Sequence, residues 1–255
     1  VSSSSTSSAP SQAAASVSSS EAEPSAQAAG TEPEAAQGVV LPYSETAQEQ
    51  YGLPAELRLE TTPERIIVMT LGPTEILHEL GVELLAVPDT IDESQAWTQD
   101  LEAERLPFSA NSMDTEGIIA MEPDLIIMSA GKRETYGTFF EEKDIPVYYT
   151  VTSSMDNGAI EDTKAQVELY GSGFGRTEEM NAILARFDEL EASIEAWKTE
   201  NAALQGQEMM ILLDCPFTYT NGSDTTLGQI MASLGLVNTA ASIDGRRSAV
   251  GARAP

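Results

Sequence analysis

The sequence predicts an α/β fold: two parallel-sheet lobes joined by one long helix, with a disordered N-terminal tail and an incomplete second lobe. Three observations carry this prediction. From Arg65 onward, short β-branched runs alternate with helical segments, the pattern of a parallel sheet covered by helices. Within residues 177–204, Met180, Ile183, Leu184, Phe187, Leu190, Ile194 and Trp197 recur at helical spacing. A helix of that length spans roughly 40 Å at ~1.5 Å per residue, more than one lobe needs, and a new strand and helix begin after it.

The elements follow in order. Residues 1–38 are Ser, Ala, Glu, Gln, Pro and Gly almost throughout, with no aromatic, Lys or Arg, too little apolar surface to offset the entropy of ordering. The boundaries drawn are a disordered Ser/Ala-rich linker over 1–50, an N-terminal α/β lobe over 51–155, a connector and long interlobe helix over 156–205, and a partial C-terminal lobe over 206–255. The first strand is 66–69. A loop follows, then a helix over 74–80 with Ile76, Leu77 and Leu80 on one face, Pro73 in its first turn and Gly81 as its stop. Further strands are 84–87, 125–128 and 147–150; the second of these follows a short helix over 115–121 and Pro123, and the third follows a helix holding Phe139 and Phe140. Gly171, Gly173 and Gly175 follow a helix and not a strand, so they read as a helix terminus and connector instead of a nucleotide fingerprint.

After the long helix come a strand over 209–213 and a helix over about 226–234, stopped by Gly235. Residues 246–255 show neither strand alternation nor a helical stripe, and nothing completes a second sheet. The expectation is a chain truncated, or read out of frame, near Ser242, with a loose second lobe.

Composition narrows the function. Against 41 Asp and Glu stand 13 Lys and Arg, a net charge of −28. Of those acids, only Glu21, Glu23, Glu32, Glu34, Glu45 and Glu49 fall within residues 1–50, so the folded part is itself acidic and repels phosphate backbones and anionic headgroups. The single cysteine, Cys215, follows an apolar run and reads as a buried thiol. His78 is the one histidine; with one His and one Cys, a closed transition-metal site is excluded, and no metal or cofactor is expected. Neither Cys215 nor any serine sits in a nucleophile motif, so an enzyme is not the leading reading.

Two segments are candidates for binding. Residues 70–75 lie at the carboxyl end of the first strand, where open α/β sheets hold ligands, although an ordinary βα turn has the same spacing. Lys132 and Arg133 are adjacent cations after the third strand: they either pair with an acidic group of a ligand or form a solvated loop balanced by Glu134.

Three stretches resemble the class III periplasmic-type binding proteins of ABC importers for iron-siderophores, haem and cobalamin. Pro63, Glu64, Arg65, Ile66, Ile67, Val68 with Thr74, Glu75, Ile76, Leu77, Leu80 and Gly81 are similar to the family's opening strand and helix. Residues 116–127, from Glu116 and Gly117 through Pro123, Asp124, Leu125, Ile126 and Ile127, resemble its Glu-Ala-Ile-x-x-Leu-x-Pro-Asp-Leu-Val-Ile pattern. Pro216, Phe217 and Thr218, with Leu234, Gly235, Leu236, Val237 and Asn238, resemble the start of its second lobe. The likeness covers about residues 57–243.

The resemblance implies a monomeric solute-binding lipoprotein on the outer face of the cell membrane. It would capture a ferric siderophore, cobalamin or haem and deliver it to an ABC permease, with no nucleic-acid partner and no membrane contact beyond a lipid anchor. The tail would be the tether that follows a lipidated cysteine. Carried over by position, the ligand residues are Leu71, Gly72, Pro73, Phe108, Asn111, Gly131, Lys132, Arg133, Phe217 and Tyr219. Trp97 is added as an aromatic able to cover a planar chelate. Glu75 takes the family's Thr-Glu position, whose carboxylate docks on permease arginines. The alternatives are an α/β enzyme acting on a small substrate in the same crevice, and a surface sensor that has lost transport.

Overall fold

The computed structural model describes residues 38–109, 112–151, 159–214, 218–223, 225–241 and 246–248. The tail before Gly38, Asn111, residues 215–217 with Cys215 and Phe217, Ser242 and the last seven residues lie outside these segments.

Ordered structure starts inside the stretch assigned to the linker. Strand β1 (Val39–Pro42) alternates buried and exposed residues, helix α1 (Glu45–Tyr51) follows, and β2 (Glu56–Leu59) returns antiparallel to β1. Residues 39–50, assigned to the linker, are therefore corrected to a strand, a short connection and a helix of the fold. Local chemistry explains the helix: the Ser44 hydroxyl accepts from the Ala47 amide at 3.2 Å, and Gly52 closes it at φ 60°. Averaging over a polar tail hid both signals.

Strand β3 (Ile66–Val68) leads into α2 (Leu71–Glu79), which starts three residues before the expected Thr74. Pro73 is thus the third helical residue, still within the first turn where no amide needs an intrahelical acceptor. Strand β4 (Ala86–Pro88) starts two residues later than read, although the Leu85 amide already donates to the Ile66 carbonyl at 2.8 Å. A 3₁₀ turn (Ala96–Thr98), β5 (Glu104–Leu106), the small hairpin β6 (Phe108–Ser109) and β7 (Ser112–Met113), and α3 (Thr115–Ala120) come next. Then follow β8 (Leu125–Ser129), a π-helical turn (Arg133–Gly137), α4 (Thr138–Glu141), β9 (Val147–Thr150) and α5 (Ala159–Gly173). The long helix α6 (Thr177–Glu200) then precedes β10 (Glu208–Met209), β11 (Leu212–Asp214), β12 (Thr218–Asn221), α7 (Thr226–Ser233), β13 (Val237–Asn238) and β14 (Arg246–Ser248).

The main sheet has five strands in the order β5-β4-β3-β8-β9, all parallel. β5 escaped the sequence reading because Glu104 and Arg105 belong to an end strand that need not be apolar. At its centre, Ile66, Ile67, Val68, Leu125, Ile126, Ile127 and Met128 are 0% exposed, as a sheet covered on both faces demands. Each such side chain contributes about 1.5–3 kcal/mol on burial.

One polar clasp holds the two central strands at their amino ends. Asp124 accepts from the amides of Glu64 (2.7 Å) and Arg65 (2.9 Å), while the Arg65 guanidinium donates back to the carbonyls of Glu122 (2.8 Å) and Met121. The Pro-Glu-Arg and Pro-Asp-Leu segments are thus two halves of one interaction.

Gly171 and Gly173 prove to be helical residues of α5, and only Gly175, at φ 67°, serves as the connector. A β-carbon on Gly173 would lie 2.7 Å from Leu41 Cδ2, and one on Gly171 would lie 2.6 Å from Met180 Cβ. They let α5 seat directly on β1 and α6. On α6, Ile183 is buried and Met180, Leu184 and Phe187 pack on the core, whereas Leu190 is 46% exposed.

The strand expected over 209–213 is two strands in different sheets. β10 pairs in parallel with β13, and β11 joins an antiparallel sheet in the order β11-β12-β14. β14 corrects the reading of residues 246–255 as structureless: antiparallel pairing with β12 uses backbone groups and needs no apolar alternation. Among the described residues the strands after α6 form no larger parallel sheet, in keeping with a partial second lobe. No helix there is long and apolar enough to cross a membrane.

Asp124→Ala leaves two backbone amides without their acceptor and should lower stability by about 1–2 kcal/mol. Urea denaturation checks this; an unchanged midpoint would show that water replaces the carboxylate at no loss.

Candidate functional site

In a parallel sheet every strand delivers its carboxyl end to the same edge. That edge gathers Thr70, Leu71 and Gly72 after β3, the β6–β7 hairpin after β5, Ala130, Gly131 and Lys132 after β8, and Thr150 and Val151 after β9. Because β3 and β8 are paired neighbours, the segments carrying Leu71 and Gly72 and carrying Gly131 and Lys132 leave adjacent strands of the sheet. Leu71 is 53% exposed, an apolar side chain held out at the edge. Gly72 and Gly131 are exposed as well, and a β-carbon on Gly72 would meet nothing within 4 Å. Pro73 is buried in α2, and Glu75 is exposed on the same helix. Two hydroxyls here, Thr70 Oγ1 and Thr150 Oγ1, are buried without a hydrogen-bond partner.

Lys132 and Arg133 part company in the fold. Lys132 ends the turn after β8 and is half-buried. The Arg133 guanidinium turns away to hold α1: Nη1 donates to the carbonyls of Tyr51 (3.0 Å) and Gly52 (3.1 Å), and Nε lies 3.4 Å from Glu141 Oε1. The cation also stands 5.5 Å from the centroid of the Tyr149 ring. Its carboxylate partner is Glu141, not the adjacent Glu134.

Tyrosines fix this corner. The Tyr149 hydroxyl donates to Glu141 Oε1 at 2.6 Å, and the Tyr148 hydroxyl donates to the Pro42 carbonyl at 2.9 Å. Tyr43 accepts from the Tyr149 amide at 3.2 Å and donates to the Val147 carbonyl at 3.4 Å, standing where the next strand would stand beside the end strand β9. Burial pushes the Tyr43 phenol up to about 12. Burial also raises Tyr148, and burial followed by the neighbouring Glu141 raises Tyr149, both well above the ordinary range. All three stay neutral donors.

The remaining candidates scatter. Trp97 stands apart from the carboxyl edge: its ring lies 6.0 Å from that of His78, near the end of α2 that points to the amino ends of the strands. His78 is half-buried with Nε2 3.2 Å from Asp100. The Phe108 backbone pairs with Met113 in the hairpin after β5, and Tyr219 lies within β12, paired with Leu213 and Ser248. Asn111 and Phe217 fall outside the described residues. Among the described residues, no group of three or more His, Cys, Asp or Glu is arranged to hold a metal ion. What sequence reasoning missed is α1 with its anchor, formed by Arg133, Glu141 and Tyr149; its one signal was Ser44 followed by Gly52 at helical distance.

Residues 66–252 match the family model described as periplasmic binding protein. The fold is shared with several solved structures. The vitamin B12-binding protein BtuF of Vibrio cholerae is 21% identical with a TM-score of 0.57, over 74% of this chain and 71% of that one. The iron-uptake ABC transporter substrate-binding protein PiuA of Streptococcus pneumoniae is 24% identical with a TM-score of 0.58, over 79% and 66%. The periplasmic haem-binding protein HutB of Vibrio cholerae is 19% identical with a TM-score of 0.58, over 73% and 70%. No curated protein sequence matches the chain significantly.

Arg133→Met keeps the length of the side chain and removes its donors. Amide exchange in residues 45–52 should quicken about ten- to a hundredfold, the equivalent of one charge-assisted hydrogen bond, while β3 and β8 stay protected. Equal loss throughout the sheet, or none in α1, contradicts a local anchor.

Proposed function

The chain belongs to the periplasmic binding protein family, and from that premise we propose that it is the solute-binding component of an ABC importer, capturing a metal chelate outside the cell and passing it to a permease. The family's members bind solutes for transport and are not enzymes. The carrying observation is the carboxyl edge of the sheet, where exposed Leu71 and Gly72 follow β3 and exposed Gly131, with Lys132, follows its neighbour β8. Two glycines without side chains let a broad ligand approach the backbone, and Leu71 offers it an apolar contact. The neighbours' names support the chelate class: B12, haem and iron uptake. A ferric siderophore, cobalamin or haem is the ligand in this reading; with His78 already beside Asp100, a His-ligated haem is the least suited of the three.

In this proposal the roles divide. Lys132 meets an acidic group of the chelate, and Arg133 acts from behind by holding α1 against the edge. Phe108, Asn111, Phe217 and Tyr219 remain ligand residues by position, Pro73 shapes the turn, and Trp97 takes no part. Glu75, exposed on α2, docks on arginines of the permease. The polar tail serves as a tether to a lipid anchor at the outer membrane face.

Calorimetry against ferric hydroxamate and catecholate siderophores, cyanocobalamin and haemin, with ferric and zinc salts as controls, tests the reading. One chelate class should bind and the bare ions should not; tight binding of a bare ion, or of none of the panel, overturns it. Against the chelate that binds, Lys132→Ala should weaken affinity about ten- to a hundredfold. Glu75→Ala should leave affinity within about twofold yet lower uptake through the cognate permease, as expected of an exposed carboxylate that contributes little to its own fold. Unchanged uptake removes Glu75 from the docking surface.

A further inference from the structure

A cavity lies on the flank of the sheet and meets the carboxyl edge only at Thr150 and Val151. It is a groove of about 580 Å³ between the end strand β9, the β1–α1 segment and α5. That volume falls within the range of small-molecule sites, about 300–1,000 Å³. β9 is separated from β3 by β8, which puts the groove about 10 Å from Leu71 and Gly72 in the pairing direction.

The walls are rigid and largely apolar. Tyr43 and Tyr148 stack at 4.7 Å with an interplanar angle of 12°, and Val40, Pro42, Ala47 and Leu169 complete the lining used here. The hydroxyls of both tyrosines are already engaged with backbone, so these residues present rings and not donors. Thr150 lines the cavity, is 7% exposed, and its Oγ1 has no hydrogen-bond partner. Buried hydroxyls are rarely left so, because the unmade bond costs about 1–3 kcal/mol.

Charge then selects the occupant. Asp162 and Glu168 of α5 line the groove, and among the described residues no Lys or Arg does. Lys164, which lies between them in sequence, is directed to α6, with Glu191 at 3.0 Å and Asp188 at 3.6 Å. An anion would enter against two carboxylates in a chain of net charge −28, whereas a cation is drawn in. We infer that the groove between β9, α1 and α5 is a second ligand site, taking a small organic ammonium ion with a flat apolar body. The body lies along the aromatic and aliphatic wall, the ammonium faces the α5 carboxylates, and Thr150 Oγ1 accepts a hydrogen bond from it.

The test uses the whole chain and three matched probes: tryptamine, neutral tryptophol and anionic indole-3-acetate. Calorimetry should show tryptamine binding at least tenfold more tightly than indole-3-acetate, with affinity falling as salt rises. Thr150→Val keeps shape and removes the hydroxyl, so tryptamine affinity should drop about ten- to a hundredfold, the loss of one charge-assisted hydrogen bond. Ala165→Phe fills the groove from α5 and should abolish binding. Thermal melts of both variants establish that they remain folded. No tryptamine binding by the parent chain, equal binding of indole-3-acetate, or undiminished binding by folded Ala165→Phe overturns the inference. The chelate panel is independent of it: chelate binding by Ala165→Phe at the parent level, alongside lost amine binding, identifies two separate sites.

Discussion

The pairing of β3 with β8 decides where the rest of the structure can go. Ile66, Ile67 and Val68 stand in register with Leu125, Ile126 and Ile127, none of them exposed, and a shift by one residue would turn each side chain to the opposite face. Packing alone tolerates some slippage when both faces are apolar, since either face accepts Ile or Leu. The Asp124 and Arg65 clasp supplies the missing direction, because its hydrogen bonds join particular backbone groups at the amino ends of both strands. With the register set there, the opposite ends emerge level, and the turns carrying Leu71 and Gly131 form a single edge.

A sheet of this kind leaves its last strand open on one side, and an open strand invites pairing with another chain. The protein closes β9 with a side chain in place of a strand. The Tyr43 phenol bonds both Val147 and Tyr149, a geometry that works because one hydroxyl donates to a carbonyl and accepts from an amide at once. Tyr43 in turn leads into α1, and α1 is fastened at its far end by Arg133. One insertion in a hairpin therefore closes the end strand, forms one wall of the flank groove and presents a helix to the carboxyl edge.

Beyond α6 the balance differs. Short strands divide between two small sheets, and Met209, Leu212, Ile230 and Val237 are 45%, 55%, 42% and 46% exposed. The buried part of α6 is its amino-terminal half, whose Met180, Ile183, Leu184 and Phe187 meet the first lobe; Leu190, on the same stripe, does not. A stripe of helical period records what a helix is able to bury, and the partner present decides how much of it is covered.

The four-residue apolar run at 125–128 in β8, the apolar face of α2 and the stripe of α6 were legible because each is a local pattern, a short continuous run for a strand buried on both faces and a period of about 3.6 for helices. The three motif segments resembling the binding-protein family were legible for a related reason, each being a local sequence with a local task. Long-range partnership was not legible. Nothing near Arg133 in the chain indicates that its guanidinium will serve carbonyls more than eighty residues away, or that Trp97 will settle beside His78 and away from the edge. Nor does the continuous apolar run of 209–213 show that a strand will break between two sheets. The sequence by itself determined the central strands and helices of the first lobe, the long helix and the parallel class of the main sheet. Tertiary structure alone decided which side chains reach that edge, because a charged or aromatic side chain goes wherever burial leaves a partner for it, and that place exists only once the chain has folded.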